Sequence, residues 1–211
     1  MSDYTAFIDL SPTTLADVLN FEQVMDIGIR PLWQPMPRIA GPAYPVRCAP
    51  GDNLMLHAAI YRAPPGAVIV VQAGDLDYAV SGGNVCAVAS KRGIAGFVVD
   101  GVIRDLAEVR ADQFPVFARG VSPIPGGKDG PGILNGVIRC GGVEVAPGDI
   151  VVADEEGIVV VPAAQQDAVL AAARQRAARD AALGLEEWEA EHHARIEAIL
   201  RSRGLAGYPD K

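Results

Sequence analysis

The sequence predicts an α/β fold: one domain over residues 1–162, then a helical C-terminal extension over 163–211 that packs on its own or a neighbouring subunit. Three observations carry this expectation. From residue 66, "GAVIVVQAG", "GNVCAVASKRG" and "IAGFVVDG" alternate apolar strand-like runs with a helical segment, which is the pattern of a strand, helix, strand unit. Further on, "GVIRC", "GVEVAPGD" and "IVVADEEGIVVVP" are short β-branched runs separated by glycine and proline. Beyond Pro162 the composition turns to Ala, Arg, Glu and Gln, all good helix formers apart from their breaks.

Each element has a local reason. Ser11 in "LSPTTLADVLN" stands where an N-cap belongs, with Pro12 at the first helical position and apolar residues at helical intervals behind it, so a short amphipathic helix opens the chain. The stretch "IRPLWQPMPRIAGPAYPVRCAPGDN" holds six prolines. Proline interrupts hydrogen-bond ladders, so this part is expected to be extended or looped, with strand fragments around "RIAGPAYPVRC" and no long helix. In the central third, "GAVIVVQAG" and "IAGFVVDG" are buried strands, and the helix between them is closed by Gly93. "RDLAEVRAD" then suggests a short helix and "FPVFARG" another strand, giving a sheet with right-handed crossovers. "DEEG" is a hairpin tip between two valine-rich runs. The tail carries two long helical patterns hinged near Gly184.

Composition excludes several classes. Half of the 211 residues are apolar, enough for a substantial core. The longest apolar runs are strand-length and interrupted by charge, short of the roughly 20 residues that span a bilayer. The opening "MSDYTAFIDLSP" has no basic region followed by an apolar core, so no secretory signal is expected and a cytoplasmic setting is. Cys48, Cys86 and Cys140 lack any paired spacing and are expected to be buried free thiols. A net charge of -8, with no basic cluster interleaved with aromatics, argues against nucleic acid as a direct partner.

Chemistry is concentrated in "GVIRDLAEVR", residues 101–110, past a predicted central strand. In open α/β sheets that edge is where ligands bind. If residues 104–111 are helical, Asp105 and Glu108 project from nearly the same face and can reach one cation. Two carboxylates without a nearby His or Cys suit a hard, oxygen-liking ion such as Mg²⁺. Arg104 beside them offers a forked cation for a substrate carboxylate or a developing oxyanion. The same residues also serve as a plain surface helix with an Arg104/Glu108 pair four apart. Upstream, Gly82 and Gly83 precede a predicted helix whose free N–H groups can hold an anion, although two glycines equally suit a strand-to-helix turn. A Walker loop is excluded, because Ser122 and Asp129 occupy positions it needs as Gly and Ser/Thr, and "GVIRD" lacks GxGxxG spacing.

Twenty residues separate Gly83 from Arg104, so the chain carries G-x20-R-D-x2-E-x-R. With "PGDIVVADEEGIVVVP", this resembles the RraA-like family, which includes 4-hydroxy-4-methyl-2-oxoglutarate aldolases and oxaloacetate decarboxylases, over roughly residues 10–180. The resemblance implies a swivelling β/β/α-type domain, assembly as a homotrimer or homohexamer, and an active site between neighbouring subunits. It implies Asp105 as the direct protein ligand of a divalent metal (Mg²⁺, or Mn²⁺), Glu108 as a ligand through water, and Arg104 as the group contacting substrate. It also implies that the backbone of Gly82, Gly83, Asn84 and Val85 receives the pyruvyl group, and many relatives have leucine where Asn84 stands.

On that footing the expected function is a metal-dependent lyase that releases pyruvate from a 2-oxo dicarboxylic or tricarboxylic acid. Aldol cleavage and oxaloacetate decarboxylation both pass through the enolate of pyruvate, so one electrophile near the keto oxygen serves both. A Schiff-base route needs a desolvated lysine, and neither Lys91 late in a helix nor Lys128 in a glycine-rich loop has that setting; Lys211 is terminal. The base for aldol cleavage is unassigned: His57, after "NLML", reads as structural, and "EWEAEHH" with His192 and His193 reads as a solvated helical face unless it reaches a neighbour. The alternative function is a non-catalytic regulator that binds an RNA-degrading complex.

Overall fold

In the computed structural model, which describes residues 4–205, helix α1 (Pro12–Ala16) starts as its sequence requires. The Ser11 hydroxyl accepts from Thr14 N, and proline takes the first turn. A two-residue strand β1 (Arg30–Pro31) precedes β2 (Ile39–Arg47). Instead of strand fragments, β2 is one continuous strand despite Pro42 and Pro45. The reason is a change of partner: Ile39 to Pro42 pairs antiparallel with one neighbour, and Ala43 to Arg47 pairs parallel with another. Pro42 stands at the changeover, and Ala43 N donates to Asp149 O at 2.7 Å.

Helix α2 (Leu54–Arg62) leads to β3 (Val68–Gln72), which buries every residue but its last, as a strand covered on both faces does. Helix α3 (Gly83–Lys91) ends before Gly93, whose positive φ of 77° is the left-handed stop expected for it. Strand β4 (Gly96–Ile103) runs on through Ile103, so Asp100 lies within the strand instead of past its end. Helix α4 (Leu106–Ala111) and strand β5 (Val116–Val121) complete the predicted alternation. After β6 (Ile133–Leu134), the β-branched runs form β7 (Ile138–Cys140) with β8 (Val143–Val145), and β9 (Ile150–Asp154) with β10 (Gly157–Val161). Both pairs are antiparallel, and "DEEG" is the tip of the second. Helices α5 (Gln166–Ala182) and α6 (Leu185–Ser202) meet at Gly184.

The main sheet runs β1-β5-β4-β3-β2-β9-β10, with β6 also paired to β2. Its centre, β2 to β5, is parallel, and β1, β9 and β10 add antiparallel edges. Leu56, Ala59 and Ile60 of α2, Cys86 and Ala89 of α3, and Val109 of α4 join the strand valines in one apolar cluster. Each large aliphatic or aromatic side chain buried there contributes about 1.5–3 kcal/mol. Parallel strands crossing over through helices bring the ends of β3 and β4 and the start of α3 to one edge. That edge positions the site.

The chain divides into two compact units, Met1–Ala173 and Arg174–Lys211. In the second unit no residue of α6 is buried; Trp188 stacks on His192 with ring centroids 4.6 Å apart, and Arg176 pairs with Asp180. The three cysteines are free and buried as expected. Burial pushes the Cys86 thiol up to about 12 and raises Cys48 and Cys140 as well, so none is a thiolate at neutral pH.

Candidate active site

Two backbone–backbone hydrogen bonds and one to a side chain bring the loop before α3 alongside the end of β4. Val80 N donates to Val102 O (3.0 Å), Arg104 N to Ser81 O (3.0 Å), and Gly83 N to the Asp105 carboxylate at Oδ2 (3.2 Å). Asp105 is not helical: it caps α4 in the left-handed region, at φ 56°. The helix therefore begins at Leu106, two residues later than the expected start at Arg104, and Asp105 and Glu108 do not share a helical face. The left-handed turn swings the Asp105 carboxylate back toward Arg104, whose Nε lies 3.3 Å from Oδ2, and both side chains are roughly two-fifths exposed (42% and 36%).

Close approach explains the paired glycines. A Cβ on Gly82 would stand 2.5 Å from Asp105 Oδ2 and 3.1 Å from Arg104 Cγ, and one on Gly83 would stand 1.9 Å from Glu108 Oε2. Gly82 is extended, so space and not backbone angle demands glycine there. Gly82 at the N-cap has no side chain to cap α3, and Gly83 N is taken by Asp105, which leaves the Asn84 and Val85 backbone at the positive end of the helix dipole.

Gly82, Asn84, Val85, Arg104 and Asp105 line one small open pocket of ≈ 90 Å³. Gly83 and Glu108 do not line it. Gly83 is buried behind Gly82, and the Glu108 carboxylate lies over Gly83. Asp100 is also elsewhere, held by Arg119 and by Gly141 N (2.8 Å). Among the described residues no three His, Cys, Asp or Glu side chains gather into a ready cation cage. A cation on Asp105 would complete its shell with water and substrate oxygens. That is the ordinary habit of Mg²⁺, so the residues present fit such an ion.

Four more residues line the pocket: Asn53 and Ser81, which sequence reasoning did not single out, His57, which it read as structural, and Lys128, which it set aside as a loop residue. His57 is half-buried and faces the pocket, not the sheet alone. Burial and the Lys128 charge lower its pKa, against the raising effects of Asp52 and a hydrogen bond to Val80 backbone. Lys128 is brought in by Asp52, a buried carboxylate that accepts from Leu54 N (2.8 Å), Asp129 N (2.7 Å) and Gly130 N (2.8 Å). Burial raises the Asp52 pKa, but the Gly130, Leu54 and Asp129 donors outweigh it and hold the group below the ordinary carboxylate value. Asn53 N to Gly127 O (2.9 Å) and Gly127 N to Gly51 O (2.7 Å) tie the same two loops together. The "DN" before an apolar helical run was a visible capping signal for Asp52; nothing local links it to residues 126–130. Lys91 and Lys128 are both exposed, as the argument against a Schiff base assumed, and Lys211 lies outside the described residues.

A family model described as RraA-like, Aldolase/RraA, matches residues 12–160. A curated protein of Halalkalibacterium halodurans named "Putative 4-hydroxy-4-methyl-2-oxoglutarate aldolase" is 41% identical over 179 residues, covering 84% of this chain and 85% of its own. Among solved structures, the RNA-processing inhibitor RraA from Thermus thermophilis is 30% identical with a TM-score of 0.65, covering 71% of this chain and 91% of that one. RraAS2 of Streptomyces coelicolor, described as an unusual member of the RNase ES inhibitor RraA protein family, is 27% identical with a TM-score of 0.71 over 91% of this chain and 96% of its own.

Proposed function

The chain belongs to the RraA-like aldolase family, and on that premise we propose that it is a divalent-metal-dependent lyase releasing pyruvate from a 2-oxo dicarboxylic or tricarboxylic acid. The observation that carries the reading is the placement of Arg104 and Asp105 side by side against the Gly82 backbone in one pocket. Asp105, with Glu108 through water, would hold Mg²⁺ or Mn²⁺, which when bound supplies Lewis-acid stabilisation of charge at the keto oxygen of a 2-oxo acid.

The remaining work falls to this chain's own groups. The Gly82 to Val85 backbone receives the carboxylate end of the pyruvyl group at the positive end of α3, where Gly83 N already donates to Asp105. The Arg104 guanidinium presents a fork of donors to the charge that grows as the carbon–carbon bond breaks. Both 4-hydroxy-4-methyl-2-oxoglutarate cleavage and oxaloacetate decarboxylation develop that charge at the same oxygen, so one pocket serves either substrate. Assembly as a homotrimer or homohexamer, with a neighbour completing the pocket, belongs to the same proposal. So does a cytoplasmic setting, which suits three free thiols; no described helix is long and apolar enough to cross a membrane.

A second reading has its own support, because the Thermus thermophilis structure is named as an RNA-processing inhibitor. A regulator that works by surface contact with an RNA-degrading complex has no use for Arg104 and Asp105 facing each other in a pocket. The two readings separate when the protein is incubated with oxaloacetate or 4-hydroxy-4-methyl-2-oxoglutarate and Mg²⁺, with pyruvate followed through coupled lactate dehydrogenase. Turnover that stops with EDTA and returns with added Mg²⁺ or Mn²⁺ supports the lyase. No pyruvate from either acid, or release indifferent to EDTA, favours the regulator or a metal-free reaction.

A further inference from the structure

Breaking the C3–C4 bond of a 4-hydroxy-2-oxo acid requires an electron sink at the keto oxygen and an acceptor for the hydroxyl proton. Arg104 and Asp105 provide for the first only: a guanidinium has no lone pair to offer, and the Asp105 carboxylate is engaged by Gly83 N and Arg104 Nε. The same pocket wall includes Asn53 and His57, at the start of α2. They are four residues apart, joined by the bond from His57 N to Asn53 O (3.1 Å), so their side chains leave the helix on one face.

Asn53 is 4% exposed, and its Nδ2 donates to Gly126 O at 3.1 Å. A carbonyl accepts only from the amide nitrogen, which fixes the amide's orientation. Its Oδ1 is then a buried acceptor without a partner among the described residues. Such an atom costs about 1–3 kcal/mol unless a donor is supplied, and a substrate hydroxyl is a donor. The His57 ring lies against the Val80 backbone, and burial with the Lys128 charge favours its neutral form. A neutral imidazole carries one N–H and keeps a lone pair on its other ring nitrogen.

We propose that His57 is the catalytic base that takes the C4 hydroxyl proton of the substrate, with Asn53 Oδ1 receiving that hydroxyl; the inference rests on the lyase reading of the pocket. The step balances within the substrate and one imidazole. The free ring nitrogen removes the hydroxyl proton, C4–O becomes a carbonyl, and the C3–C4 electron pair becomes the C2–C3 double bond of the pyruvate enolate. The imidazolium then returns the proton to C3. Burial and the neighbouring Lys128 favour the neutral ring needed at the start, against the charge of Asp52; Arg104 and Asp105 are the other charged groups of the pocket.

Oxaloacetate decarboxylation has no hydroxyl proton to remove, and this supplies the test. In His57→Gln the ratio of kcat/KM for 4-hydroxy-4-methyl-2-oxoglutarate cleavage to that for oxaloacetate decarboxylation is expected to fall about 100-fold or more, the usual contribution of a positioned base. A structural role would lower both reactions together, so parallel losses, or no loss in either, overturn the assignment. Should the variant fail to fold, the wild type carries the same comparison: cleavage falls on the acid side of its pH profile in a way decarboxylation does not, and superimposable profiles overturn the proposal. Wild-type protein that decarboxylates oxaloacetate yet never cleaves the hydroxy acid overturns it while leaving the lyase reading intact. Absence of both reactions sinks that reading and the inference with it.

Discussion

Replacing Gly83 with alanine tests the close packing between α3 and α4 on which the site depends. The added Cβ would lie 1.9 Å from Glu108 Oε2 and 2.9 Å from both its Cβ and its Cδ. The carboxylate is the free end of a flexible side chain and can turn aside. Glu108 Cβ cannot, and against an ordinary carbon contact of roughly 3.5 Å the helices must part by about 0.6 Å. Overpacking of this kind costs about 1–3 kcal/mol. Alanine recovers part of the roughly 1 kcal/mol by which it exceeds glycine inside a helix, and less at the first helical residue. The net expectation is a loss of about 1–2 kcal/mol in urea unfolding and at least a tenfold fall in pyruvate release, because Asp105, which accepts from Gly83 N, shifts as α3 and α4 part. Gly120→Ala is the control: nothing lies within 4 Å of a Cβ there, so that strand substitution should gain up to about 0.5–1 kcal/mol. If Gly83→Ala proves as stable and as active as the wild type, the packing argument for the paired glycines is wrong.

Asp105→Asn keeps a side chain that tolerates the left-handed backbone and removes the charge, so pyruvate release should vanish with stability nearly unchanged; activity within threefold of the wild type would remove Asp105 from the proposed metal site. Arg104→Lys retains the charge without the fork and should lower turnover by about tenfold or more, measured at saturating substrate, and an unaffected kcat counts against its role. Asp52→Ala strands three backbone N–H groups that now donate to one buried carboxylate. It should cost roughly 3 kcal/mol or more in urea unfolding, and a loss under about 1 kcal/mol would show that the loops hold without it. The His57 pKa is lowered from 6.5 in the folded chain, so as pH falls through that value the unfolded chain binds the proton first and stability declines; above it the group contributes no slope. Unfolding free energies of wild type and His57→Gln should therefore converge in slope above neutrality and part below it, and parallel curves from pH 7 to 5 would contradict the shift.

Legibility followed sequence separation. The Ser11 cap, the Gly93 stop, the "DEEG" hairpin and the break at Gly184 are signals confined to a few residues, and the structure places each where its signal stood. The Pro-rich stretch was harder, because β2 survives its prolines only by exchanging β9 for β3 partway along, and that exchange is written in no local pattern. At the site, the position of "GVIRDLAEVR" past a predicted strand pointed to the sheet edge where Arg104 and Asp105 stand. It could not show that Asp105 leaves helical geometry or that Glu108 stands behind the pocket wall.

From residue order alone come the alternation of strands and helices, the apolar centre and the free cysteines, which depend on periodicity, turn chemistry and charge acting over one or two turns of chain. The grouping of Arg104 and Asp105 with the paired glycines came from the family resemblance. The pocket itself is a tertiary product. Asn53, His57 and Lys128 reach it because the Asp52 carboxylate binds backbone 77 and 78 residues away. A hydrogen bond across that separation forms only after the sheet has brought its ends together.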